Sequence, residues 1–488
     1  MPVATAAELT AAIAAAAPGD VITLADGVYA LSGANCNTRG TDAAPIVVRA
    51  ATPLGARVDF DGLEGFHVRG AHWHFEGLDV RGVCVDDSAC EHAFHVVGAA
   101  VGFVLRGSRV RDFNAQLKVN AAPIDGVWTA PHGGLVEGNE LADTRPRVTG
   151  NPVTKLNINN GDNWIVRANL LHDFHKDGGD GVSYGAFMKG GSMGGLFERN
   201  LVSCTRDVAT GGTRLGLSFG GGGTGAQFCA PAYDATVPCN VEHTAGWIRN
   251  NIVVNCSDVG VYLNRSADTR VIFNTLIATT GIDFRFDTTS GEAIGNVLGG
   301  NIRDRNGAVS VRGENLTRVS DATFTSWYAA PLAGDLRVTG DVSMLLGVGS
   351  PRFDVVDDYC ARERPFTPTT IGALEHSLGD CDTTRPPVVG GGGMTPDAGV
   401  PSVDAGAPVA DGGLALDSGA APDGGPMPDG GSDAGATGGE DSGCACRVGA
   451  RPRGSPIALA LVTLLLVAGL RGGTTMWRAG RHARARTR

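Results

Sequence analysis

The chain has 488 residues, of which 73 are Gly, while only 19% are charged and 6% are aromatic. This composition, with many short apolar runs, favours an all-β or solenoid fold over a helical one. The net charge is −11, but residues 386–446 hold nine acids without Lys or Arg, and residues 447–488 hold nine Arg without an acid. The charges of these two segments cancel, so residues 1–385 carry the net negative charge themselves. An acidic domain argues against nucleic acid as a partner.

The N-terminal segment MPVATAAELTAAIAAAAPGD predicts a helix over residues 6–17, ended by Pro-Gly-Asp. Such a helix would cap the open end of a stack of strands, where unpaired strand edges are otherwise exposed. The segment has no basic stretch ahead of its apolar residues, as a secretion signal requires. If the protein is exported, either it uses another route or its natural start lies upstream, and we expect the second.

A short motif, two apolar residues followed two positions later by Asn, recurs along the chain. It ends at Asn139, Asn169, Asn200, Asn251, Asn274 and Asn296. Each motif predicts a short half-buried strand, with the Asn or Gly in a left-handed turn. One strand–turn–strand unit cannot bury its own apolar face, so the units must stack. The repeat predicts an all-β fold, a right-handed parallel β-helix of the pectin-lyase type with internal Asn ladders and loops of variable length.

Eleven cysteines occur without any CxxC spacing. Cys84 and Cys90 bracket one short loop, and Cys229 and Cys239 bracket another, so we expect two local disulfides typical of an oxidising compartment. The alternative is buried free thiols. Cys204 and Cys256 follow equivalent Asn residues and are expected to stack, while the connectivity of Cys360 and Cys381 stays open.

The composition changes near residue 383. Residues 383–443 form a Pro/Asp/Gly/Ala tract that is expected to be a disordered linker after a β-helix domain over residues 1–382. Residues 444–488 contain the apolar stretch 456–470 followed by an Arg cluster, a pattern typical of a membrane anchor. With the Cys444 and Cys446 pair, this segment resembles the MYXO-CTERM sorting segment. The resemblance implies a cell-surface protein held at the membrane by its C-terminus, and the alternative of an ordinary tail anchor also places residues 1–382 outside the cytoplasm.

Two early stretches, AAPGDVITLADGVYAL (16–31) and GTDAAPIVVRAATPLGARVDFDG (40–62), resemble the opening of the chondroitinase-B/alginate-lyase family, polysaccharide lyase family six. The resemblance implies a parallel β-helix acting on an acidic polysaccharide, with a Lys and an Arg on neighbouring coils close to a calcium ion. Lys189 in FMKGGS and Arg214 in TRLGLSF fall in comparable places. The family's acidic calcium ligands precede its Lys, but here residues 182–188 contain no Asp or Glu.

Such a lyase removes the proton α to a uronate carboxylate and eliminates the 4-O-linked sugar, so it needs a base and a group that stabilises the enolate. Lys189 is the candidate base, and Arg214 is the candidate cation that grips the carboxylate. The glycines beside both would let a sugar approach the backbone.

Three lysines, Lys118, Lys155 and Lys189, recur about once per coil. They form either a solvated face or a row of cations that binds a polyanionic chain. We take Lys118 and Lys155 as substrate contacts, together with Asn157 and Asn159, which could instead belong to an internal Asn ladder.

Two His-containing segments are weaker candidates for metal sites. His92 and His95 lie three apart on a predicted strand, so they should point to opposite faces and not share a metal. The segment NLLHDFHKDGGDG packs His172, Asp173, His175, Asp177 and Asp180 into one loop. That loop is either a calcium site or, as we favour, a polar turn.

The leading hypothesis is thus a surface-anchored lyase that cleaves a uronate-containing glycan. A non-catalytic β-helix that binds glycans for adhesion is the alternative. A glycoside hydrolase is a third possibility, which needs two carboxylates across a groove and could draw only on Asp177, Asp180 and Asp207. The fold alone does not decide among them.

Overall fold

The computed structural model describes residues 1–208, 211–221 and 223–386. Most of the predicted linker and all of the predicted sorting segment lie outside these residues, so the division of the chain into three parts remains a prediction. Within the described ranges, no helix has both the length and the apolar character needed to cross a membrane.

Over the described residues, the chain winds through three long sheets of parallel strands. Sheet 1 contains Pro2–Val3, Val21–Leu24, Ile46–Ala50, Trp73–Glu76, Val104–Arg106, Leu135–Glu137, Ile165–Arg167, Leu196–Glu198, Trp247–Arg249, Thr269–Ile272, Ser290–Ile294 and Val309–Gly313. Sheet 2 contains Gly27–Leu31, Ala56–Phe60, Asp79–Gly82, Arg109–Arg111, Glu140–Ala142, Leu170–His172, Leu201–Ser203, Ile252–Val254, Thr275–Ile277 and Val297–Leu298. Sheet 3 contains Ala34–Cys36, Glu64–Val68, His92–Val97, Ala115–Asn120, Val153–Asn159, Val182–Lys189, Thr213–Phe219, Val261–Asn264, Gly281–Arg285 and Asn301–Arg305.

Each coil contributes one strand to each sheet in turn, and every strand pairs with its counterparts in the coils before and after it. This arrangement confirms the predicted parallel β-helix. Shorter pairings decorate the loops: Ala122–Ile124 with Val127–Thr129, and Ser192–Met193 with His243–Thr244 and Ser266–Ala267.

The repeated asparagines form a ladder at the corner between sheets 1 and 2. Each side-chain amide donates to the side-chain oxygen of the next Asn at 2.9–3.1 Å. The ladder comprises Asn139, Asn169, Asn200, Asn251, Asn274, Asn296 and Asn315. The internal ladder is confirmed, but the left-handed conformation falls on the residue before each Asn, as at Gly138, Ala168 and Asn250. The carboxamide is thereby free to turn inward and pair with the next coil.

The predicted N-terminal cap is helix Ala6–Ala15, whose start is fixed by a capping box between Thr5 and Glu8. Its buried Leu9 and Ile13 join the apolar core inside the coils. Burying these side chains covers the first strands of the stack, as the sequence predicts.

The C-terminal part of the described chain packs on the outside of sheet 2. Helix Asp321–Trp327 and the antiparallel strands Tyr328–Ala330 and Asp335–Val338 form a second apolar cluster with Leu201 and Ile252. The outside of sheet 1 instead carries a charge ladder, with Glu137 between Arg106 and Arg167 at 3.0 and 2.7 Å. With the outer faces of sheets 1 and 2 occupied in these ways, the outer face of sheet 3 is the candidate binding face.

Both predicted local disulfides, Cys84–Cys90 and Cys229–Cys239, are present. The expected Cys204–Cys256 bond is also formed, and the bond left open by the sequence is Cys360–Cys381. Cys36 is the free cysteine among the described residues, and it is buried.

Candidate functional site

The outer face of sheet 3 presents a row of polar side chains that crosses several coils. In strict register, His67 lies beside His95, His95 beside Lys118, Lys118 beside Asn157, and Asn157 beside Phe187. Their chain neighbours, among them Phe66, Phe94, Leu117 and Leu156, belong to the core. Because side chains alternate along a strand, the row lies outside the coil.

Lys189 ends strand Val182–Lys189, opposite Asn159 of the preceding coil. Its side chain is only 7% exposed, and its ammonium nitrogen lies 4.9 Å from the centre of the Phe187 ring. Among the described residues, this ammonium forms no ion pair with a carboxylate. A nearly buried cation without an acidic partner is costly to keep unless it has a use, which makes Lys189 a functional candidate.

The glycines after Lys189 form close contacts and hydrogen bonds with other parts of the protein. Gly190 donates to the Glu242 carboxylate at 3.1 Å and accepts from the Ala230 N–H at 2.9 Å. Gly191 has φ +79°, and a side chain there would collide with the Ala230 carbonyl. The interpretation that these glycines admit a sugar is therefore wrong here, because a loop of the protein occupies that space.

Glu242 organises this loop from a buried position. Its carboxylate accepts from the Gly190 N–H, from the Thr224 N–H at 3.2 Å and from the Thr224 hydroxyl at 2.6 Å. The same loop brings Gly221 over the side chain of Lys189. The loop thus covers one side of the Lys189 side chain, and another side of it lines an open depression.

That side is a shallow depression along strand Val182–Lys189. Thr154, Lys176, Asp180, Tyr184, Phe187 and Lys189 are among the residues that line it. Lys176 and Asp180 pair at 2.7 Å. The depression therefore joins an apolar floor to charged groups at its ends, which suits a polar ligand with a ring face.

Arg214 does not lie beside Lys189. Ser183 pairs with Arg214 across the two strands, whereas the register carries Lys189 past Phe219, to the level of Gly220. A guanidinium N–H of Arg214 donates to the Gly211 carbonyl, and burial lowers the pKa of Arg214, partly offset by Asp173. The structure thus does not bring the proposed catalytic pair together.

Three of the four predicted substrate contacts, Lys118, Asn157 and Asn159, lie on the strands beside Lys189 or one coil further. Lys118 donates to the Asn157 side-chain oxygen at 3.3 Å on the outer face. The side-chain oxygen of Asn159, opposite Lys189, is buried without a hydrogen-bond partner among the described residues. Neither Asn belongs to the internal ladder, so both remain candidates for ligand contacts.

Lys155 is inside the coil, and the prediction that it contacts substrate is wrong. Its side chain is fully buried and pairs with Asp143 at 2.5 Å and with the Phe113 carbonyl at 3.1 Å. Burial raises the pKa of Asp143 and lowers that of Lys155. The three lysines therefore do not form one row.

The acids considered for a glycoside hydrolase lie on one wall of the face. Asp177 and Asp180 belong to the loop between Leu170–His172 and Val182–Lys189, and Asp207 belongs to the equivalent loop of the next coil. Asp180 is paired with Lys176. These acids do not face one another across a groove, as a hydrolase pair must.

His92 and His95 do not point apart, contrary to the prediction. Their rings lie 4.9 Å apart, and both approach Glu64, at 3.5 Å from His92 and 2.7 Å from His95. The strict alternation assumed for the strand breaks at Ala93 and Phe94, which are both fully buried in the core, so His92 and His95 lie on the same side of the strand. Burial lowers the pKa of His92 to about 4, whereas the two histidines beside Glu64 outweigh the effect of burial and hold the pKa of Glu64 far below its usual value.

Sequence reasoning missed Glu64, His67 and Asn120 at this cluster. His67 stacks on His95 with ring centres 5.2 Å apart, and Asn120 accepts from His95 at 2.7 Å. A signal was present, because FHV occurs in both EGFHVRG and HAFHVVG. Aligning these two coils would have placed His67 on His95.

A calcium site beside Lys189 does not fit the residues present. Calcium prefers six to eight oxygen ligands, several of them carboxylates. Strand Val182–Lys189 has none, and Asn157 already accepts from Lys118. Of the loop considered as an alternative, His172 and Asp173 come together with Asp207 of the next coil, but away from Lys189.

Comparison with known proteins agrees with this geometry in part. The family model described as Chondroitinase B matches residues 3–99. No curated protein matches the chain. The match covers the first three coils and ends before Lys118 and Lys189.

Among solved structures, the pectate lyase Pel9A is similar at 15% identity and a TM-score of 0.52, over 75% of this chain and 90% of that chain. A PL6 family polysaccharide lyase from Pseudopedobacter saltans shows 12% identity and a TM-score of 0.36, over 70% of this chain and 96% of that chain. An alginate lyase from Paenibacillus sp. str. FPU-7 shows 14% identity and a TM-score of 0.34, over 64% of this chain and 98% of that chain. The chain is thus a parallel β-helix protein, and its first coils are similar to the Chondroitinase B family.

Proposed function

We propose that this protein is a polysaccharide lyase that cleaves a uronate-containing glycan, with Lys189 as the base. The observation that carries the proposal is the Lys189 ammonium, nearly buried, without a carboxylate partner among the described residues, and open to the depression along its strand. The match of the first coils to the Chondroitinase B family supports the choice of reaction.

In the proposed reaction, the neutral amine of Lys189 takes the proton at C5, α to the uronate carboxylate. The C–H electrons form the C4–C5 double bond, the C4–O bond breaks, and the leaving oxygen takes a proton from water. Lys118 and Asn157, on the two preceding coils of the same face, supply a cation and an amide for binding an acidic sugar. Arg214 has no part in this step, because it lies at the far end of its strand.

Non-catalytic glycan binding is the second candidate, and a specific observation favours it. An enolate needs a cation or metal close to its oxygens. Arg214 is remote from Lys189, and the strand that carries Lys189 offers no carboxylate for calcium. A site with Lys118, Asn157 and Asn159 but no such electrophile would bind an acidic glycan without cleaving it.

We also propose that the chain is exported and held at the cell surface through residues 444–488. Support comes from the four disulfides, which persist outside the cytoplasm, and from the apolar stretch followed by Arg in the sequence. Cell fractionation with a deletion of residues 444–488 tests this, because the deletion should release the protein from the membrane fraction.

The test of activity follows ultraviolet absorbance while the full chain acts on alginate, chondroitin or pectate, with and without calcium. Elimination forms a conjugated double bond, whereas hydrolysis does not. A rise that Lys189→Met abolishes and Arg39→Met, a change at an exposed cation, leaves intact supports the lyase. No rise with any polymer, together with binding that Lys118→Met weakens, would favour the glycan-binding function.

A further inference from the structure

A second group of chemically versatile side chains lies on the outer face of sheet 3, in the coils that precede Lys118. Glu64, His67 and His95 each place a ligand atom within 4.8 Å of the others. In register, His95 is separated from Phe187 by three strand spacings, or about 14 Å. The group is therefore distinct from the Lys189 site.

The hydrogen bonds around His95 define which of its nitrogens faces the cluster. Asn120 donates its amide to the Ala121 carbonyl at 3.0 Å, so its side-chain oxygen must accept from His95 Nε2–H at 2.7 Å. The other nitrogen, Nδ1, lies 2.7 Å from a Glu64 oxygen. Nδ1 is thus the His95 nitrogen that faces the Glu64 carboxylate.

His67 and His92 also lie close to the Glu64 carboxylate. His67 Nδ1 lies 3.7 Å from the other Glu64 oxygen, and its ring is stacked parallel to that of His95. Nδ1 of His92 lies 3.5 Å from Glu64 and is buried without a hydrogen-bond partner among the described side chains. Two imidazoles and a carboxylate thus converge, with a third imidazole behind the carboxylate.

We propose that Glu64, His67 and His95 bind one divalent transition-metal ion of the Zn²⁺ class. Two imidazoles and one carboxylate are a ligand set that zinc accepts, leaving a fourth position open to water, whereas calcium and magnesium prefer oxygen ligands alone. Asn120 fixes the His95 ring, as outer-shell partners of metal-binding histidines do.

The other candidate group, His172 with Asp173 and Asp207, does not offer the same opening. The Asp173 carboxylate accepts from the backbone N–H groups of Arg206, Asp207 and Val208 at 2.8–3.1 Å and contacts His172 at 2.7 Å. Its oxygens are already occupied in holding the corner of the coil. This group is therefore a structural turn, as favoured from the sequence.

The proposal is tested with the full chain after removal of metals with a chelator. Titration with Zn²⁺ alone, followed by calorimetry, should show one site per chain, and Co²⁺ should give the visible absorption of a nitrogen-coordinated ion. Glu64→Gln and His95→Gln should abolish both signals. Asn120→Ala should weaken binding by about 10–100-fold, the usual effect of losing an outer-shell partner.

Three matched variants should leave the affinity unchanged: His132→Gln at a histidine beside Asp162, Asp207→Asn in the other group, and Cys444→Ser with Cys446→Ser in the C-terminal segment. Thermal melting of the metal-free variants shows whether each is folded, and added Zn²⁺ should raise the melting temperature of the wild type but not of His95→Gln. Absence of a stoichiometric site, or binding unchanged in His95→Gln, would overturn the proposal. Because no readout depends on glycan cleavage, failure here leaves the lyase proposal standing, and the reverse also holds.

Discussion

Lys189 and Arg214 occupy neighbouring strands of sheet 3 but lie near opposite ends of them. Arg214 pairs with Ser183, six positions before Lys189, a separation of about 20 Å along the strand. One sugar ring cannot contact both side chains. Any chemistry at Lys189 must therefore draw on groups from the coils before it, such as Lys118 and Asn159, or on the loop that covers it.

Replacing Arg214 by Gln should lower stability but not turnover. The guanidinium is buried and bound to the Gly211 carbonyl, so its loss should cost about 1–3 kcal/mol in the free energy of unfolding. The initial rate of glycan cleavage and a melting curve, recorded on the same preparation, separate the two effects. A collapse of the rate with unchanged melting would show that Arg214 is catalytic after all.

Replacing Lys155 by Met should destabilise the fold by about 3–5 kcal/mol, because the buried Asp143 carboxylate loses its ion-pair partner. Replacing both residues, with Asp143→Leu added, should restore most of that loss. Urea unfolding of the two single variants and the double variant measures the coupling. Unchanged stability together with weaker glycan binding in Lys155→Met would instead return Lys155 to the surface.

Removing one member of the Asn ladder should weaken the whole domain. Asn200→Ala leaves the backbone and side-chain N–H groups of Asn169 without their acceptor, at about 1–3 kcal/mol for each buried group. Asn37→Ala, at an exposed position, is the control and should have no measurable effect. Equal unfolding midpoints for the two variants would mean that the ladder does not stabilise the coils.

Acid should destabilise the protein partly through His243. This histidine is fully buried, accepts from the Gly195 N–H at 3.3 Å, and stacks on Phe219 with ring centres 4.1 Å apart. Burial lowers its pKa from 6.5 to about 3. Between these two pKa values the unfolded chain binds a proton at His243 and the folded chain does not. The free energy of unfolding therefore decreases as the pH falls below 6.5, by about 1.4 kcal/mol per pH unit.

His243→Gln keeps an acceptor near Gly195 but does not titrate, so it should flatten this slope. The free energy of unfolding in urea, measured from pH 7 to pH 4, gives the slope directly. His132→Gln, at a half-exposed histidine, should keep the slope of the wild type. Identical slopes for all three proteins would show that His243 is not buried as a neutral group.

Much of the fold could be predicted because it repeats. The spacing of Asn139, Asn169 and Asn200 reports a coil directly, since each Asn must meet its counterpart to satisfy a buried amide. The terminal helix and the two short-loop disulfides follow from local patterns as well. The packing of residues 320–386 against sheet 2 was not predictable, because those contacts join residues far apart in the chain.

The site was harder to predict, because a catalytic arrangement depends on register. Lys155 and Lys189 look alike in the sequence, but one pairs with Asp143 in the core and the other lies outside. The register of this coil is 31 residues, from Ser183 to Arg214, whereas Lys189 and Arg214 are 25 residues apart, so Arg214 lies at the start of its strand and Lys189 at the end of its own. Conversely, the Glu64 cluster depends on equal register of two coils, which the repeated FHV does reveal.

The ladder tolerates chain insertions of very different length. Asn200 and Asn251 are 51 residues apart, Asn274 and Asn296 only 22, and the amide-to-oxygen distance is 3.0 Å in both pairs. The extra chain includes the loop that Glu242 holds over Lys189. A coil of this kind accepts a longer, shorter or exchanged loop without a change in its frame, so ligand preference can diversify while the capacity to fold is inherited intact.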